Sequence, residues 1–200
     1  MPDARIVVIH RSDSSGTTFV WTDYLSKTSP QWKSLVGSGV VVAWPTAVAA
    51  EHSEGVAAAV QNTLGSIGYV EFIYAIQHRL GFGAVRNASG HFVRADIDSV
   101  NAAAALGSAS PEGDLRVSIT DPPSSDAYPI ASYTWILLPG RREAGNKKTV
   151  LSELVRWMLT SGQKSCSALG YVPLPAAVAK RALEVLDAAN LSSNSAEGKR

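Results

Sequence analysis

A single cysteine, Cys166, occurs among the 200 residues, which excludes an internal disulfide and any metal site built from a cysteine cluster. The four histidines are scattered and show no metal-ligand spacing. The net charge is +1, so charge gives no argument for nucleic acid or for an anionic membrane surface. No apolar run approaches the ~20 residues that span a bilayer. We therefore expect no metal, no cofactor and no nucleic-acid partner.

Motifs of nucleotide-binding proteins and of hydrolases are also missing. Gly37-Ser38-Gly39 and Gly81-Phe82-Gly83 lack the third glycine of a dinucleotide fingerprint, and no Gly-Lys-Ser/Thr phosphate loop occurs. His10 lies near Ser15 in sequence, but Ser15 is in no nucleophile elbow. We therefore expect no catalytic residues and no enzyme activity. The opening residues carry no cationic segment, apolar core and cleavage site of a secretory signal.

What the sequence does contain is an alternation of strand and helix patterns, with 46% apolar residues, enough for a sizeable core. Up to about residue 115 the alternation predicts an α/β fold, a parallel or mixed sheet covered by helices. The predicted strands there are 5–10, 40–44 and 66–71, with a hairpin at 82–93. The predicted helices are 17–28, 53–63, 71–80 and 96–106.

The remainder is divided from this part by residues 107–127, which are rich in Gly, Ser, Pro and Asp and predict a crossing between two lobes. Beyond the crossing we expect a strand at 130–138, helices at 147–161 and 175–190, and a short helix between them. The small, polar residues 191–200 predict a disordered tail.

The most informative stretch is residues 10–18, His-Arg-Ser-Asp-Ser-Ser-Gly-Thr-Thr, here named the anion turn, between the first strand and the first helix. Unpaired N–H groups and the helix dipole make a helix N-terminus favourable for a negative ligand. Arg11 adds a planar fork of donors, which Asp13 can hold in place. The alternative is a serine-rich turn with a helix cap and a surface Arg–Asp pair.

The residues of this turn, Arg-Ser-Asp-x-Ser-Gly-Thr-Thr-Phe-Val, are followed by Thr-Asp-Tyr-Leu-Ser-Lys at 22–27. Later come Gly-Ser-Ile-Gly-Tyr-Val-Glu at 65–71 and Tyr-Val-Pro-Leu-Pro at 171–175. In this order the blocks resemble the second half of periplasmic phosphate-binding proteins, the substrate receptors of high-affinity phosphate ABC importers. The resemblance spans residues 5 to about 188.

The resemblance implies a periplasmic-binding-protein-like α/β fold with one mostly complete lobe plus the returning C-terminal part of the other. Residues 1–120 would be the second, phosphate-binding lobe without its first elements, and 121–190 the C-terminal part of the first lobe. Strand 130–138 would then lack its sheet neighbours and expose an apolar face. We expect the missing first-lobe segment, or a partner chain, to cover it.

Carried over residue by residue, the resemblance implies phosphate binding by Arg11, Ser15, Gly16 and Thr17, with Asp13 orienting Arg11. Arg11 would donate to two phosphate oxygens, and Gly16 and Thr17 would donate their N–H groups, with the Thr17 hydroxyl as a further candidate. Ser15 would donate its hydroxyl, with its N–H as a further candidate. These groups are all donors and suit any tetrahedral oxyanion, so we expect phosphate and sulfate to bind similarly.

The resemblance further implies a receptor for inorganic phosphate in the periplasm or cell envelope, with ABC permease subunits as partners. The chain would be part of such a receptor, or a reduced stand-alone protein with weak, non-selective oxyanion binding. One departure from the family lies at residues 47–53, where Glu51 and His52 occupy an expected loop that is usually rich in glycine and lysine. We expect this loop to be stiffer and less positive, with His52 a plain surface residue.

Overall fold

The computed structural model describes residues 4–45, 47–107, 115–138 and 146–197. A three-stranded parallel sheet with the order β2-β1-β3 organises its N-terminal part. Strand β1 is Val7–Arg11, β2 is Val48–Ala50 and β3 is Ser66–Gly68. The β-branched residues of β1 favour an extended chain, and its central position pairs both of its edges. This confirms the predicted α/β class.

Helices follow each strand of the sheet and continue through the C-terminal part. They are α1 (Gly16–Thr28), α2 (Pro30–Leu35), α3 (His52–Asn62), α4 (Phe72–Gln77), α5 (Ile97–Gly107), α6 (Asn146–Leu159) and α7 (Ala176–Glu197). Two short 3₁₀ helices, Ser161–Ser165 and Ser167–Leu169, follow α6. A small antiparallel hairpin joins β4 (Val85–Arg86) to β5 (Phe92–Val93). None of the described helices is long and apolar enough to cross a membrane.

Helix boundaries follow the capping residues in the sequence. The Ser29 side chain accepts a hydrogen bond from the Trp32 N–H, and Pro30 occupies the first position of α2. Asp96 lies just before α5, and its carboxylate accepts from the Ser99 N–H at 2.7 Å. The predicted helices 17–28, 53–63, 71–80 and 96–106 are confirmed to within a few residues.

Two small cores hold the described parts together. In the first, α3 packs on the sheet, where Ile9, Val56 and Ala57 are fully buried. In the second, α5 packs against the segment 115–138 through a cluster of small and branched residues: Ala103, Ala104, Ile119, Ala127 and Ala131. The Lys27 ammonium donates to the Thr120 carbonyl at 3.0 Å, so the same segment is also fastened to α1.

The predicted strand at 40–44 is wrong. These residues form no strand, and the Val40 carbonyl accepts a hydrogen bond from the Ser15 N–H instead of a ladder bond. The edge of β1 is taken by Val48–Ala50, within the predicted loop 47–53. A β-branched run indicates an extended chain, but it cannot show which extended residues reach the free edge of a strand.

The predicted strand at 130–138 is also wrong, since these residues join neither described sheet. Backbone ladders need a neighbouring strand, and the described chain provides none there. The segment is fastened by side chains instead: the Tyr133 hydroxyl donates to the Ala104 carbonyl, and the Trp135 indole donates to the Leu115 carbonyl. Leu137 is 94% exposed, in agreement with the expected uncovered apolar face.

The last helix continues to Glu197, beyond the predicted end at 190, so residues 191–197 are helical where we expected a disordered tail. Serine and asparagine in this stretch have lower helix propensity than alanine or leucine, but adding residues to a helix that has already begun avoids the cost of nucleation. The three remaining tail positions lie outside the described residues, as does the middle of the predicted crossing at 108–114.

Gly68 of β3 provides a test of the first core. A Cβ at this position would lie 2.8 Å from the Val60 side chain and 3.0 Å from that of Val56. We expect Gly68→Ala to lower the free energy of unfolding by ~1–3 kcal/mol, because the added methyl group overpacks the contact between α3 and the sheet. Urea denaturation followed by circular dichroism measures this change.

Gly81→Ala is the matched control, because a Cβ at Gly81 would meet nothing within 4 Å. This variant should stay within about 0.5 kcal/mol of the unmodified chain. Equal stability of the two variants would contradict the described packing of α3 on β3.

Candidate functional site

The anion turn lies at the carboxyl end of β1 and leads directly into α1. Ser15 is the N-cap residue, and its side-chain oxygen accepts from the Thr18 N–H at 3.2 Å. The Ser15 N–H itself donates to the Val40 carbonyl at 2.9 Å. That contact removes the Ser15 N–H from the expected donors to a ligand, whereas its hydroxyl proton remains free to donate.

Two of the first N–H groups of α1 remain open. Since a helix cannot satisfy its own first N–H groups, those of Gly16 and Thr17 depend on an outside acceptor. Among the described residues, no group accepts a hydrogen bond from either of them. Gly16 is exposed, and nothing lies within 4 Å of the place where its Cβ would be. A ligand can therefore approach both N–H groups closely.

Arg11 is held by two partners on different parts of the chain. Its Nε and Nη2 donate to the two carboxylate oxygens of Asp13 at 2.7 and 2.5 Å. Its Nη1 donates to the Ser53 hydroxyl at 3.0 Å. A guanidinium group has five N–H donors, so two remain for a ligand. The expected pairing of Arg11 with Asp13 is present in the structure.

This ion pair is electrostatically fixed at neutral pH. The hydrogen bond from Arg11 holds the pKa of the Asp13 carboxyl group well below its usual range, with a further contribution from the His52 N–H. The hydrogen bond to Asp13 likewise raises the pKa of Arg11, against the opposing effect of burial. Only 10% of the Arg11 side chain is exposed, so the pair is largely shielded from solvent.

His52 is more than the plain surface residue that we expected. Its ring is largely exposed, but its N–H donates to Asp13 Oδ1 at 3.0 Å and its Nδ1 lies 3.2 Å from Asp13 Oδ2. His52 begins α3 with a positive φ of 58°, and the preceding Glu51 makes no side-chain cap. Asp13 therefore caps α3 from the neighbouring turn.

Two residues that we did not predict, Ser53 and Glu71, complete the site. The Thr17 hydroxyl donates to Glu71 Oε1 and the Ser53 hydroxyl donates to Glu71 Oε2, both at 2.6 Å. Arg11, Ser53, Glu71 and Thr17 therefore form one continuous chain of hydrogen bonds. Nothing in the sequence pairs these residues, because Thr17 and Glu71 are 54 positions apart.

The side chain of Tyr69, with two tryptophan rings packed on it, supports the anion turn. The Tyr69 hydroxyl accepts from the Arg11 N–H at 3.2 Å and pairs with the Thr18 hydroxyl at 2.7 Å. Its ring is stacked between Trp21 and Trp44, with ring centroids 6.0 and 5.7 Å away. Such stacked aromatic rings fix the direction in which a polar tip points.

His10 lies on the aromatic side of this arrangement. Its ring is stacked on Trp44 with centroids 5.1 Å apart, and its Nδ1 lies 2.8 Å from the Arg11 carbonyl. Among the described residues, His10 therefore makes its contacts with Trp44 and the Arg11 backbone and makes no hydrogen bond with Ser15. Within the described ranges, no three His, Cys, Asp or Glu side chains are grouped so that they could hold a metal ion.

The open donors are two guanidinium N–H groups, two backbone N–H groups and one serine hydroxyl. They belong to the end of β1 and to the N-terminus of α1, where the helix dipole also favours negative charge. A parallel sheet with such a turn at the carboxyl end of its central strand is typical of a ligand-binding lobe of α/β type. The fold and the turn therefore define a ligand-binding lobe of α/β type whose open groups are all hydrogen-bond donors.

Comparison with known proteins gives the family. A family model described as the PBP superfamily domain matches residues 1–161, and the chain belongs to that superfamily. It is similar to the phosphate-binding protein PstS of Xylella fastidiosa, with 41% identity over 90% of the chain. It is likewise similar to those of Pasteurella multocida, with 39% identity over 90%, and Methanocaldococcus jannaschii, with 37% over 94%.

The chain spans about half the length of these relatives, namely 50, 53 and 52% of them. Among solved structures, it is similar to a high-affinity periplasmic phosphate-binding protein, PfluDING, determined with phosphate bound. The TM-score is 0.57 at 21% identity, over 88% of this chain and 56% of the other. This likeness confirms the periplasmic-binding-protein-like fold.

The pairing of Asp13 with Arg11 predicts a pH-dependent stability. Because the pKa of Asp13 is lowered in the folded chain, its contribution is present above the unfolded pKa of about 3.9 and is lost as the pH falls. Asp13→Asn should therefore be less stable than the unmodified chain at pH 7, and the difference should narrow toward pH 3. Urea midpoints at several pH values measure the difference.

Asp126→Asn serves as the control, since this exposed carboxylate accepts, among the described residues, only a hydrogen bond from the neighbouring Ser125 hydroxyl. For Asp126→Asn, the difference in urea midpoint from the unmodified chain should stay small at every pH. A gap between the Asp13 variant and the unmodified chain that is the same at pH 7 and pH 3 would rule out the fixed ion pair.

Proposed function

We propose that this chain binds inorganic phosphate through Arg11, Ser15, Gly16 and Thr17, with Asp13 orienting Arg11. The observation that carries the proposal is a pair of N–H groups at the start of α1 that have no acceptor among the described residues. Beside them, the Arg11 guanidinium group keeps two donors that no described residue uses. The names of the relatives support it, since those proteins are phosphate-binding proteins.

The binding mode follows from fixed dipoles. The N–H groups of Gly16 and Thr17 would contact phosphate oxygens, and the two free Arg11 donors would take up another pair. Hydrogen bonds to an ionised ligand are shorter and stronger than neutral ones, so a few donors in fixed positions can hold an anion. The Ser15 hydroxyl would add a donor at the base of the site. The chemistry of the site is binding and not catalysis.

The proposal also concerns the phosphate receptor of which this chain would form a part. We place residues 1–120 in the second lobe and 121–190 in the C-terminal part of the first lobe of an extracytoplasmic phosphate receptor. Closure of the lobes over the anion would precede delivery to ABC permease subunits in the cell envelope. The first-lobe segment, or a partner chain, would cover the apolar residues Ile136 and Leu137, which are exposed here. Sedimentation velocity tests whether a second copy takes this role.

Arg11→Ala tests the site. Loss of a charged donor that faces the ligand should weaken phosphate binding by about 10- to 100-fold, which corresponds to the ~1.5–3 kcal/mol of a hydrogen bond to a charged group. Titration calorimetry at moderate salt measures it. Because a single lobe leaves part of the anion in water, we also expect weaker binding than in a two-lobed receptor.

Arg5→Ala is the matched control, because Arg5 is exposed and lies beyond the opposite end of β1. It removes the same charge from the same lobe and should leave the phosphate affinity nearly unchanged. Equal losses in the two variants would indicate a general charge effect and contradict the assignment. Weak binding that is lost only with Arg11 fits either a receptor lobe or a reduced stand-alone protein.

A further inference from the structure

His52 lies beside the anion turn in a backbone conformation that is uncommon for residues other than glycine. Its φ of 58° is in the left-handed region, where a Cβ atom is crowded by the backbone. Two contacts with Asp13 hold it there: the carboxylate accepts from the His52 N–H at 3.0 Å and lies 3.2 Å from Nδ1. The histidine is thereby fixed next to the carboxylate that pairs with Arg11.

Both ring nitrogens of His52 face carboxylates. The hydrogen bond from Arg11 lowers the pKa of Asp13, so this carboxylate is ionised and can only accept. Nδ1 of His52 must therefore carry a hydrogen, and in the neutral ring Nε2 is the nitrogen without one. Nε2 lies 3.8 Å from Glu51 Oε1. A further proton would thus go to Nε2 and face a negative group.

The charges around the anion turn are mostly negative. Desolvation raises the pKa of Glu71, but hydrogen bonds from two hydroxyl groups outweigh that effect and keep the carboxylate ionised at neutral pH. Arg11 supplies one positive charge and Asp13, Glu51 and Glu71 supply three negative charges, which sum to −2 while the His52 ring is neutral. This balance opposes an incoming anion, and a proton on His52 reduces it to −1.

The other titratable groups of the neighbouring elements make their contacts elsewhere. The Glu54 carboxylate lies 3.9 Å from Nε2 of His78, just after α4. His10 is stacked on Trp44, and the Tyr69 hydroxyl is occupied by the turn itself. Of the described residues that contact Asp13, Arg11 always keeps its charge, whereas an imidazole can change its charge between pH 5 and 8.

We propose that His52 is an additional residue of the anion site and that a proton on its ring strengthens anion binding. The inference rests on the proposed function and specifies how the same site is regulated. By thermodynamic linkage, the anion favours protonation of His52 by the same factor by which the proton favours the anion. Through His52, the affinity for the anion therefore rises as the pH falls. One screened charge at the edge of a site corresponds to a change of about two- to fivefold.

His52→Asn tests the inference, because asparagine tolerates a positive φ and its amide takes up no proton in this pH range. Titration calorimetry at fixed ionic strength gives the phosphate affinity at pH 8 and at pH 5.5. Phosphate changes its own protonation over this range, but that change is common to both proteins and cancels in the ratio of their affinities. The ratio of the unmodified chain to the variant should rise about two- to fivefold from pH 8 to pH 5.5.

His91→Asn is the matched control. His91 is exposed, lies just before β5, and its N–H donates to the Asn87 side chain. For this variant the affinity ratio should be the same at both pH values. An equal rise for the two variants would indicate a general effect of positive charge and contradict the assignment to His52.

A second measurement uses the unmodified chain alone. The ring signals of His52 are followed by NMR from pH 8 to pH 5, with and without saturating phosphate. Phosphate should move the titration curve of the ring to higher pH by about 0.3 to 0.7, which is the same two- to fivefold factor. A curve that stays in place, or moves to lower pH, would overturn the inference.

Failure of the inference and failure of the proposed function give different results. If Arg11→Ala weakens phosphate binding while the affinity ratio for His52→Asn does not depend on pH, the inference is wrong and the anion site remains. If phosphate does not bind the unmodified chain at either pH, the proposed function is contradicted and the inference falls with it.

Discussion

The requirement that a nearly buried guanidinium group find acceptors organises this lobe. Arg11 ends the central strand with only 10% of its side chain exposed, and a charge in that position is costly unless it is paired. Asp13 and Ser53 supply the acceptors, and each brings another part of the chain with it. Asp13 also caps α3 through the His52 N–H, and Ser53 leads on to Glu71.

The consequence is a turn whose polar side chains are held in place by the chain itself, without a ligand. The strand end, the start of α1, the start of α3 and the residue before α4 are joined by hydrogen bonds around one charge. Tyr69 fixes the backbone of Arg11 from the other side, with its ring stacked between two tryptophans. A preorganised site spends little of its binding free energy on ordering side chains.

Local chemistry made part of this predictable from the sequence. The strand, the cap at Ser15, the helix from Gly16 and the Arg11–Asp13 pair lie within a few positions of one another, where spacing and capping rules apply. The residues that join the turn to distant parts could not be found in this way. Ser53 and Glu71 lie beside the anion turn only because of tertiary packing. From the sequence alone, a polar residue just before a helix, such as Glu71, would be interpreted as a helix cap.

The pairing of strands was the other feature that could not be predicted from the sequence. The runs at 40–44 and 130–138 have strong β-propensity, but a strand exists only where another strand accepts its ladder bonds. Val48–Ala50, which we did not predict to be a strand, pairs with the free edge of β1. The second run has no strand beside it in a chain that spans about half of its relatives, which leaves Leu137 exposed.

The central claim is that the open N–H groups at the start of α1 receive the anion beside Arg11. Amide and guanidinium chemical shifts in a ¹⁵N-labelled chain, followed during addition of phosphate, test it most directly. The account predicts saturable shifts of the Gly16 and Thr17 amides and of Arg11 Nε, with amides at the start of α5 unmoved. Shifts centred elsewhere in the chain, with those three signals unchanged, would contradict it.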